Sequence, residues 1–499
     1  MSTIEIKQLS FSYDGAGLTL FDHVELNIDT TWKLGLIGRN GRGKTTFFKL
    51  LQDELAYSGT INHQMDFSYF PQAIKDKNKM TYEIIDDLKA GELWEVEREL
   101  TLLGTETDIL WRDFSSLSGG EQTKVLLAIL FSQSDYFPLI DEPTNHLDAL
   151  GRKQVASYLR QKKTGFIVIS HDRLFIDEVC DHILAIDKSQ ITISQGNYST
   201  YQFQKERQDE SEQEKNEKLK KEVGRLKQTA AKKAEWSYAR EGDKYGSANV
   251  KNSGAINNTG FIGARAARAM KKSKNLLNRM DKEIEEKEKL LKNIEFIDPL
   301  TMNFVPSHHK TLLTVENFTL SFNDEPLFKP VSFDIKQGER VAIIGANGVG
   351  KTSFIKAILD KFEGNIEGQL TKMISADWSL VRQNYEVNQG TLKAFCLKHH
   401  LDYQDFLSNI KKLGLERQLF SNNIETMSMG QRKKIEIAKS LTEETPFYLW
   451  DEPLNYLDIF NYEQLEEIIL LKEPTMLFVE HDEAFINKVA TKVITLEKY

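Results

Sequence analysis

The 499-residue sequence predicts an α/β protein in which two tandem copies of one domain, each built on a mostly parallel sheet, are joined by a long antiparallel helical hairpin. Three observations carry this expectation. The first is an internal repeat: GRNGRGKTT at Gly38–Thr46 returns as GANGVGKTS at Gly345–Ser353, IDEPTNHLD returns as WDEPLNYLD, and ISHD returns as VEHD. The offset is 307 residues between Lys44 and Lys351 and 310 between Asp141 and Asp451, so the order and spacing of the motifs persist over more than a hundred residues. The second is the alternation of short apolar runs, such as Trp32–Ile37, Phe137–Ile140 and Phe166–Ile169, with helical patterns, as a sheet covered by helices requires. The third is a central stretch of about a hundred residues with helical periodicity and no α/β pattern. The expected domains are residues 1–200, 201–305 and 306–499.

Composition narrows the function classes. A formal charge of −9 with 40% hydrophobic and 28% charged residues describes an ordinary folded, water-soluble chain. Two isolated cysteines, Cys180 and Cys396, exclude a disulfide framework or a cysteine-based zinc site and favour a reducing cytosol. The N-terminus has no basic-then-apolar leader pattern, and no run of about 18 apolar residues is present to cross a bilayer. A membrane role would require another chain to supply the spans.

The repeated motifs are phosphate chemistry. Glycines at Gly38, Gly41 and Gly43 let a strand-to-helix turn, with Asn40 and Thr46, wrap its N–H groups around phosphates. Lys44 brings a positive charge to the β- and γ-phosphates of ATP, and the Thr45 hydroxyl is placed to ligate Mg²⁺. Gly345, Asn347, Gly348, Gly350, Lys351, Thr352 and Ser353 repeat the set. Asp141 and Asp451 each end an apolar strand, where a carboxylate holds Mg²⁺ through water. The following residues, Glu142 and Glu452, are the candidate general bases for the attacking water. His171 and His481 follow a second apolar strand and are candidates to hydrogen-bond the γ-phosphate.

At this point the chain resembles the ATP-binding-cassette family over both repeats. LSGGEQ at Leu117–Gln122 is similar to the family's signature, with Ser118, Gly119 and Gly120 facing nucleotide. Gln72 and Gln383 resemble its Q-loop glutamines, which reach the metal shell, and Leu147-Asp148 and Leu457-Asp458 resemble its D-loops. Tyr13, with Phe322 in the second copy, would stack on adenine. The resemblance implies head-to-tail pairing within one monomer, so that Lys44 shares an ATP with Ser428 and Gly430, and Lys351 shares one with Ser118. One departure is Met429, which stands where the first signature has Gly119. A methionine restricts close backbone approach, so hydrolysis is expected at both sites but more slowly where Lys44 meets Ser428.

Between the copies, Leu219, Val223, Leu226, Ala230 and Ala234 form one helical stripe and Leu277, Met280, Ile284, Leu291 and Ile294 a second. A glycine-rich stretch from Gly242 to Gly263 separates them, so the expected structure is a hairpin about 60 Å long. From Lys215 to Arg279 there are 17 Lys and Arg against five acids, and from Lys244 to Met280 eight basic residues and no acid. An acid-free basic stretch with Trp236, Tyr238 and Tyr245 fits nucleic acid. The contact residues expected are Lys244, Tyr245, Lys251 and Phe261 at the tip, with Arg265, Arg268, Lys271 and Lys272 on the adjoining helix.

Two cassettes fused through a basic helical linker resemble the ABC-F translation factors. REGDKYG, TGFIGARAARAMKKSK, MSMGQRKK and WDEPLNYLD are similar to the Lsa-type factors that confer antibiotic resistance. Gln72 and Ser118 lie 46 residues apart, against 45 for Gln383 and Ser428, which leaves no room for the arm insertion of housekeeping members. The resemblance implies a cytoplasmic ATPase that binds the exit site of the bacterial 70S ribosome in its ATP-closed state. Its hairpin would reach P-site tRNA and the rRNA of the peptidyl-transferase centre and displace lincosamides, streptogramin A and pleuromutilins, and hydrolysis would release it. Three rivals stand beside this reading. A housekeeping translation factor would use the same contacts without a drug, a transporter ATPase subunit would give the basic spike no role, and a DNA-repair or chromosome-associated cassette ATPase would be expected to carry zinc modules or a much longer coiled coil.

Overall fold

The computed structural model describes residues 3–13, 19–88, 91–133, 135–145, 147–242, 299–322, 325–373, 378–383, 385 and 387–499. The chain divides into two units, Met1–Tyr201 with Asp298–Tyr499, and Gln202–Ile297. Both repeats belong to the first unit.

In the first repeat the strands are β1 Thr3–Ser12, β2 Thr19–Asp29, β3 Lys33–Gly38, β4 Ser58–Asn62, β5 Asp66–Phe70, β6 Tyr136–Asp141, β7 Phe166–Ile169, β8 His182–Asp187 and β9 Gln190–Gln195. The core sheet runs β5-β6-β7-β3-β8-β9, parallel throughout except for the β8–β9 hairpin. Its central strands are apolar on both faces, because alternate side chains feed two cores. Leu139, Ile167 and Ile169 pack toward the helix Lys44–Leu51, whereas Ile140, Phe166 and Val168 pack toward the helix Gly119–Ser132.

The second repeat carries β10 Thr311–Phe322, β11 Glu325–Pro326, β12 Val331–Lys336, β13 Arg340–Gly345, β14 Asn365–Lys372, β15 Trp378–Val381, β16 Phe447–Asp451, β17 Met476–Val479 and β18 Lys492–Leu496. Its core sheet is all parallel, in the order β15-β16-β17-β13-β18.

Each repeat also has an antiparallel sheet, β2-β1-β4 in the first and β11-β10-β12 with β14 on β10 in the second, which the expectation of a parallel core left out. β1 alternates buried and exposed residues, Ile4 and Ile6 inward, so that one face covers Phe47 and Phe48 of the phosphate-loop helix. A second difference concerns Leu300 and Met302. Sequence periodicity leaves them in the linker, but they are buried in the second repeat's core beside Ile437 and Leu441.

This topology places the chemistry. In both repeats the phosphate-loop strand, β3 or β13, lies beside the strand that ends in ISHD or VEHD, and the strand ending in Asp-Glu lies one further out. The registers Asp141↔Ile169 and Asp451↔Val479 bring those two strand ends level. Ligand sites in such sheets form at the carboxyl ends of the strands.

A helix of 45 residues, Tyr198–Gly242, leads out of the first repeat. At about 1.5 Å per residue it is about 67 Å long. The second helical stripe and the tip of the expected hairpin, including Lys244, Tyr245, Lys251, Phe261, Arg265, Arg268, Lys271 and Lys272, lie outside the described residues.

Candidate functional site

The loop after β3 turns through Gly41 and Gly43, whose φ angles of 85° and 92° only glycine adopts without strain. A Cβ on Gly43 would also press on Phe21 at 3.1 Å. Gly348 and Gly350 repeat this turn at φ 78° and 103°. Each loop holds its lysine over its own mouth: Lys44 Nζ donates to Gly38 O at 2.6 Å and Asn40 Oδ1 at 3.1 Å, and Lys351 Nζ to the carbonyls of Gly345 and Ala346 at 2.9 Å.

Beside the lysine, Thr45 Oγ1 and Tyr69 Oη each donate to Asp141 Oδ2 at 3.0 Å. Thr352 donates in the same way to Asp451. Burial, then the neighbouring Glu452, pushes the Asp451 carboxyl up to about 6. Its Oδ1 is buried without a hydrogen-bond partner, an oxygen that a hard cation would satisfy. Among the described residues no cluster of three or more His, Cys, Asp or Glu side chains forms a metal cage.

Glu142 and Glu452 have left-handed backbones, φ 53° and 47°, fixed by N–H bonds to Ile169 O at 2.9 Å and Val479 O at 3.0 Å. These kinks turn both carboxylates into the cavities. Glu142 Oε1 lies 3.3 Å from His171 Nε2, and Glu452 Oε1 lies 3.8 Å from His481 Nε2. Burial, then the lysine of the same loop, pushes His171 down to about 3 and His481 down to about 4, so both imidazoles are neutral at pH 7.

The Glu142 side chain keeps about a fifth of its surface exposed, yet desolvation drives its carboxyl up to about 8, against the pull of Lys44. The sign of the linkage follows. From its ordinary value near 4.5 up to about 8 the folded protein keeps a proton that the unfolded chain has lost, so Glu142 weakens the fold as pH rises through that window. The stability difference between Glu142→Gln and the wild type, from urea melts without nucleotide, should therefore move in the variant's favour between pH 5 and 8 by roughly 1 kcal/mol per pH unit. A difference that stays flat with pH would show that the carboxyl is not held neutral.

The two repeats face each other across two cavities. One, of about 440 Å³, joins Asn40, Gly41, Lys44, Thr45, Asp141, Glu142 and His171 to Ser428 and Gly430. The other, of about 910 Å³, joins Asn347, Gly348, Gly350, Lys351, Thr352, Ser353, Gln383, Glu452 and His481 to Ser118, Gly119 and Gly120. Each phosphate loop thus shares a cavity with the other repeat's signature. The smaller cavity is latched, since Asn40 N–H donates to Asp458 Oδ2 at 2.8 Å and Asn40 Nδ2 to Tyr456 O at 3.1 Å. Met429 opens the helix Met429–Thr442 at 45% exposure, while Ser428 and Gly430 form the cavity wall.

Other expected residues sit at the margins. Tyr13 is half exposed, with its hydroxyl 3.1 Å from Thr46 Oγ1 beside the phosphate loop. Phe322 is also half exposed and packs on Phe362. Gln383 reaches Glu452 Oε2 at 3.0 Å, whereas the Gln72 amide donates to Leu126 O at 3.3 Å. Sequence reasoning missed Arg152, which lines both cavities and donates to Leu147 O at 3.2 Å and Asp172 Oδ2 at 3.3 Å. The signal was available: the second copy has Tyr462 at that position.

Comparison with known proteins agrees with this architecture. The family model described as ABC transporter matches residues 21–145 and 328–455, half of the chain. The chain is 30% identical to the ribosome protection protein VmlR of Bacillus subtilis, over 97% of this chain and 85% of VmlR. It is also 30% identical to the erythromycin resistance ATP-binding protein MsrA of Staphylococcus epidermidis, over 98% of this chain and 97% of MsrA. Among solved structures, the archaeal ribosome recycling factor aABCE1, in complex with the stalk protein aP1, shares the fold with a TM-score of 0.63 at 20% identity, over 98% of this chain and 87% of that one. Among the described residues no helix is long and apolar enough to cross a membrane. Duplicated cassettes and kinship along the full length give one assignment: this chain belongs to the ABC-F family, and it binds and hydrolyses ATP.

Proposed function

We propose that this chain is a ribosome-protection factor of the cytoplasm. In its ATP-closed form it occupies the exit site of the bacterial 70S ribosome and displaces lincosamides, streptogramin A and pleuromutilins from the peptidyl-transferase centre. The observation that carries this reading is the 30% identity, along nearly the whole chain, to relatives named for ribosome protection and for antibiotic resistance. The acid-free stretch Lys244–Met280 supports it, because eight basic residues without a counter-charge suit an RNA backbone.

In the proposed cycle Lys44 and Lys351 bind the phosphates, and the opposing Ser428 and Ser118 complete each site. Glu452, and Glu142 once it has lost its own proton, accepts a proton from water as the water oxygen bonds to the γ-phosphorus and the bond to the β,γ-bridging oxygen breaks. His171 and His481, held neutral, donate to the γ-phosphate. Thr45 with Asp141, and Thr352 with Asp451, would hold magnesium, which neutralises charge on the phosphate oxygens when bound. Closure positions the hairpin tip, Lys244 to Phe261, against P-site tRNA and rRNA. Drug release then needs a coupling of only about 1–3 kcal/mol between the two sites.

A translation extract inhibited by a lincosamide tests the proposal. Wild-type protein with ATP should restore synthesis, and the Lys271→Glu, Lys272→Glu variant should lose most of that effect while its ATPase rate without ribosomes is unchanged. Failure of the wild type to restore synthesis would overturn the resistance reading, and equal rescue by the variant would remove these two lysines from it.

A further inference from the structure

The helix Met429–Thr442 belongs to both ATP sites. Its N-cap, Ser428, lines the cavity of Lys44, and its fifth residue, Lys433, donates from Nζ to the carbonyl oxygen of Glu452 at 2.8 Å, in the cavity of Lys351. We propose that Lys433 is a positioning residue for Glu452, through which the helix that closes the first ATP site sets hydrolysis at the second.

The lysine is 1% exposed. Burying an ammonium costs several kcal/mol unless charges and acceptors surround it. Here Glu480, Glu436, Asp451 and Glu452 supply the opposing charge, and the Tyr385 ring lies 5.8 Å from Nζ. The group it holds is a strained one. Glu452 has φ 47°, a conformation that costs a non-glycine residue about 1–3 kcal/mol and persists only where its surroundings fix it. Val479 O fixes the amide side of the kink, Gln383 and Asn455 fix the carboxylate at 3.0 and 2.6 Å, and Lys433 supplies the charged restraint on the carbonyl side.

The first copy lacks this restraint. Thr123 occupies the matching helix position and returns its hydroxyl to Gly119 O of its own helix at 2.9 Å. Glu142 adopts the same kink, and its carbonyl accepts from the Asn145 N–H at 3.3 Å. The cation under the general base is therefore an asymmetry between the sites. Lys433 is five residues from Ser428, about 7.5 Å along a rigid helix, so the helix cannot shift toward or away from Lys44 without moving the ammonium relative to Glu452.

The inference rests on the ATP hydrolase assignment and on the proposed role of Glu452, and needs no ribosome. Lys433→Thr, the residue of the first copy, and Lys433→Gln, as a polar variant of similar reach, are measured for ATP turnover in three backgrounds: wild type, Glu142→Gln and Glu452→Gln. In the Glu142→Gln background, where turnover comes from the second site, kcat should fall by about 10- to 100-fold with KM changed less than about twofold, and in the wild type it should fall toward the rate of the Glu452→Gln variant. In the Glu452→Gln background, where the positioned group is already gone, neither variant should lower the remaining rate, and Lys433→Arg should recover part of the loss in the wild type. An equal fold-loss in all three backgrounds would make Lys433 a general structural residue. A rise in KM with kcat intact, or a lower melting temperature with kcat intact, would also overturn the proposal. If Glu452→Gln by itself leaves turnover unchanged, the proposed role of Glu452 fails first, and the two failures are thereby told apart.

Discussion

The double variant Glu142→Gln, Glu452→Gln should lose ATP turnover by at least about 100-fold, the usual yield of a general base, while still binding ATP. Both side chains are partly buried just beyond the ends of parallel strands, and the amide is nearly isosteric with the carboxyl. The Glu142 environment already favours a neutral side chain, so the fold should tolerate the change there. Asn455 and Gln383 contact the Glu452 carboxylate, and both have amides able to re-pair with a glutamine. What the variant removes is proton acceptance. On the proposed cycle, a protein that binds but does not hydrolyse ATP stays closed, and sedimentation through a sucrose cushion with 70S ribosomes should then show stable, ATP-dependent comigration. Absence of comigration at low salt, where phosphate contacts are strongest, would sink the ribosome reading. Unchanged phosphate release would sink the assignment of the glutamates.

Truncating Glu466 to leucine should lower stability by about 3–5 kcal/mol, the cost of leaving a buried charge without its partner. Glu466 is wholly buried in the helix Ile459–Lys472 of the second cassette, and it pairs in bidentate fashion with Arg173 of the first, where Nη1–Oε2 is 3.3 Å and the Nη2–Oε1 contact is closer. Lys488 Nζ adds a bond at 2.8 Å, and the Tyr462 ring lies 5.9 Å from the guanidinium. Removing the carboxylate strands Arg173 between the cassettes. The double variant Arg173→Leu, Glu466→Leu should recover most of the loss, since an apolar pair needs no compensation. Urea melts of the two singles and the double decide the matter: a loss below about 1 kcal/mol for Glu466→Leu would place this bridge with ordinary surface pairs. The matching positions of the other copy are Ala156 and Glu483, and there the cassettes meet through the exposed pair Lys153–Glu483 at 2.7 Å. The interface is therefore asymmetric in strength as well as in its ATP sites.

Much of this was legible before folding was considered. The repeat, the glycines at positive φ, the acid at the end of an apolar strand and the histidine after its neighbour are local signals, since each depends on residues adjacent in sequence and on the strand that carries them. The antiparallel sheets were less legible because their strands alternate in burial across bulges, as at Gln8, and so blur the period on which the reading depends. Leu300 and Met302 were misplaced for a different reason. The core they join, which includes Ile437 and Leu441, is built from residues over a hundred positions away in places, and nothing local distinguishes a linker from a strap across a core.

The sequence by itself determined that there are two phosphate-binding cassettes and that a basic segment joins them, because composition and short motifs are properties of contiguous chain. The tertiary structure alone decided how the copies differ. That Gln72 turns to a helix carbonyl while Gln383 meets Glu452, that Arg152 lies between both cavities, and that Lys433 and Glu466 are buried charges with distant partners all depend on pairings between residues from 19 to 293 positions apart. A buried charge reads in sequence as a surface residue, and only the packed interior, where desolvation must be offset by a specific partner, gives it a role.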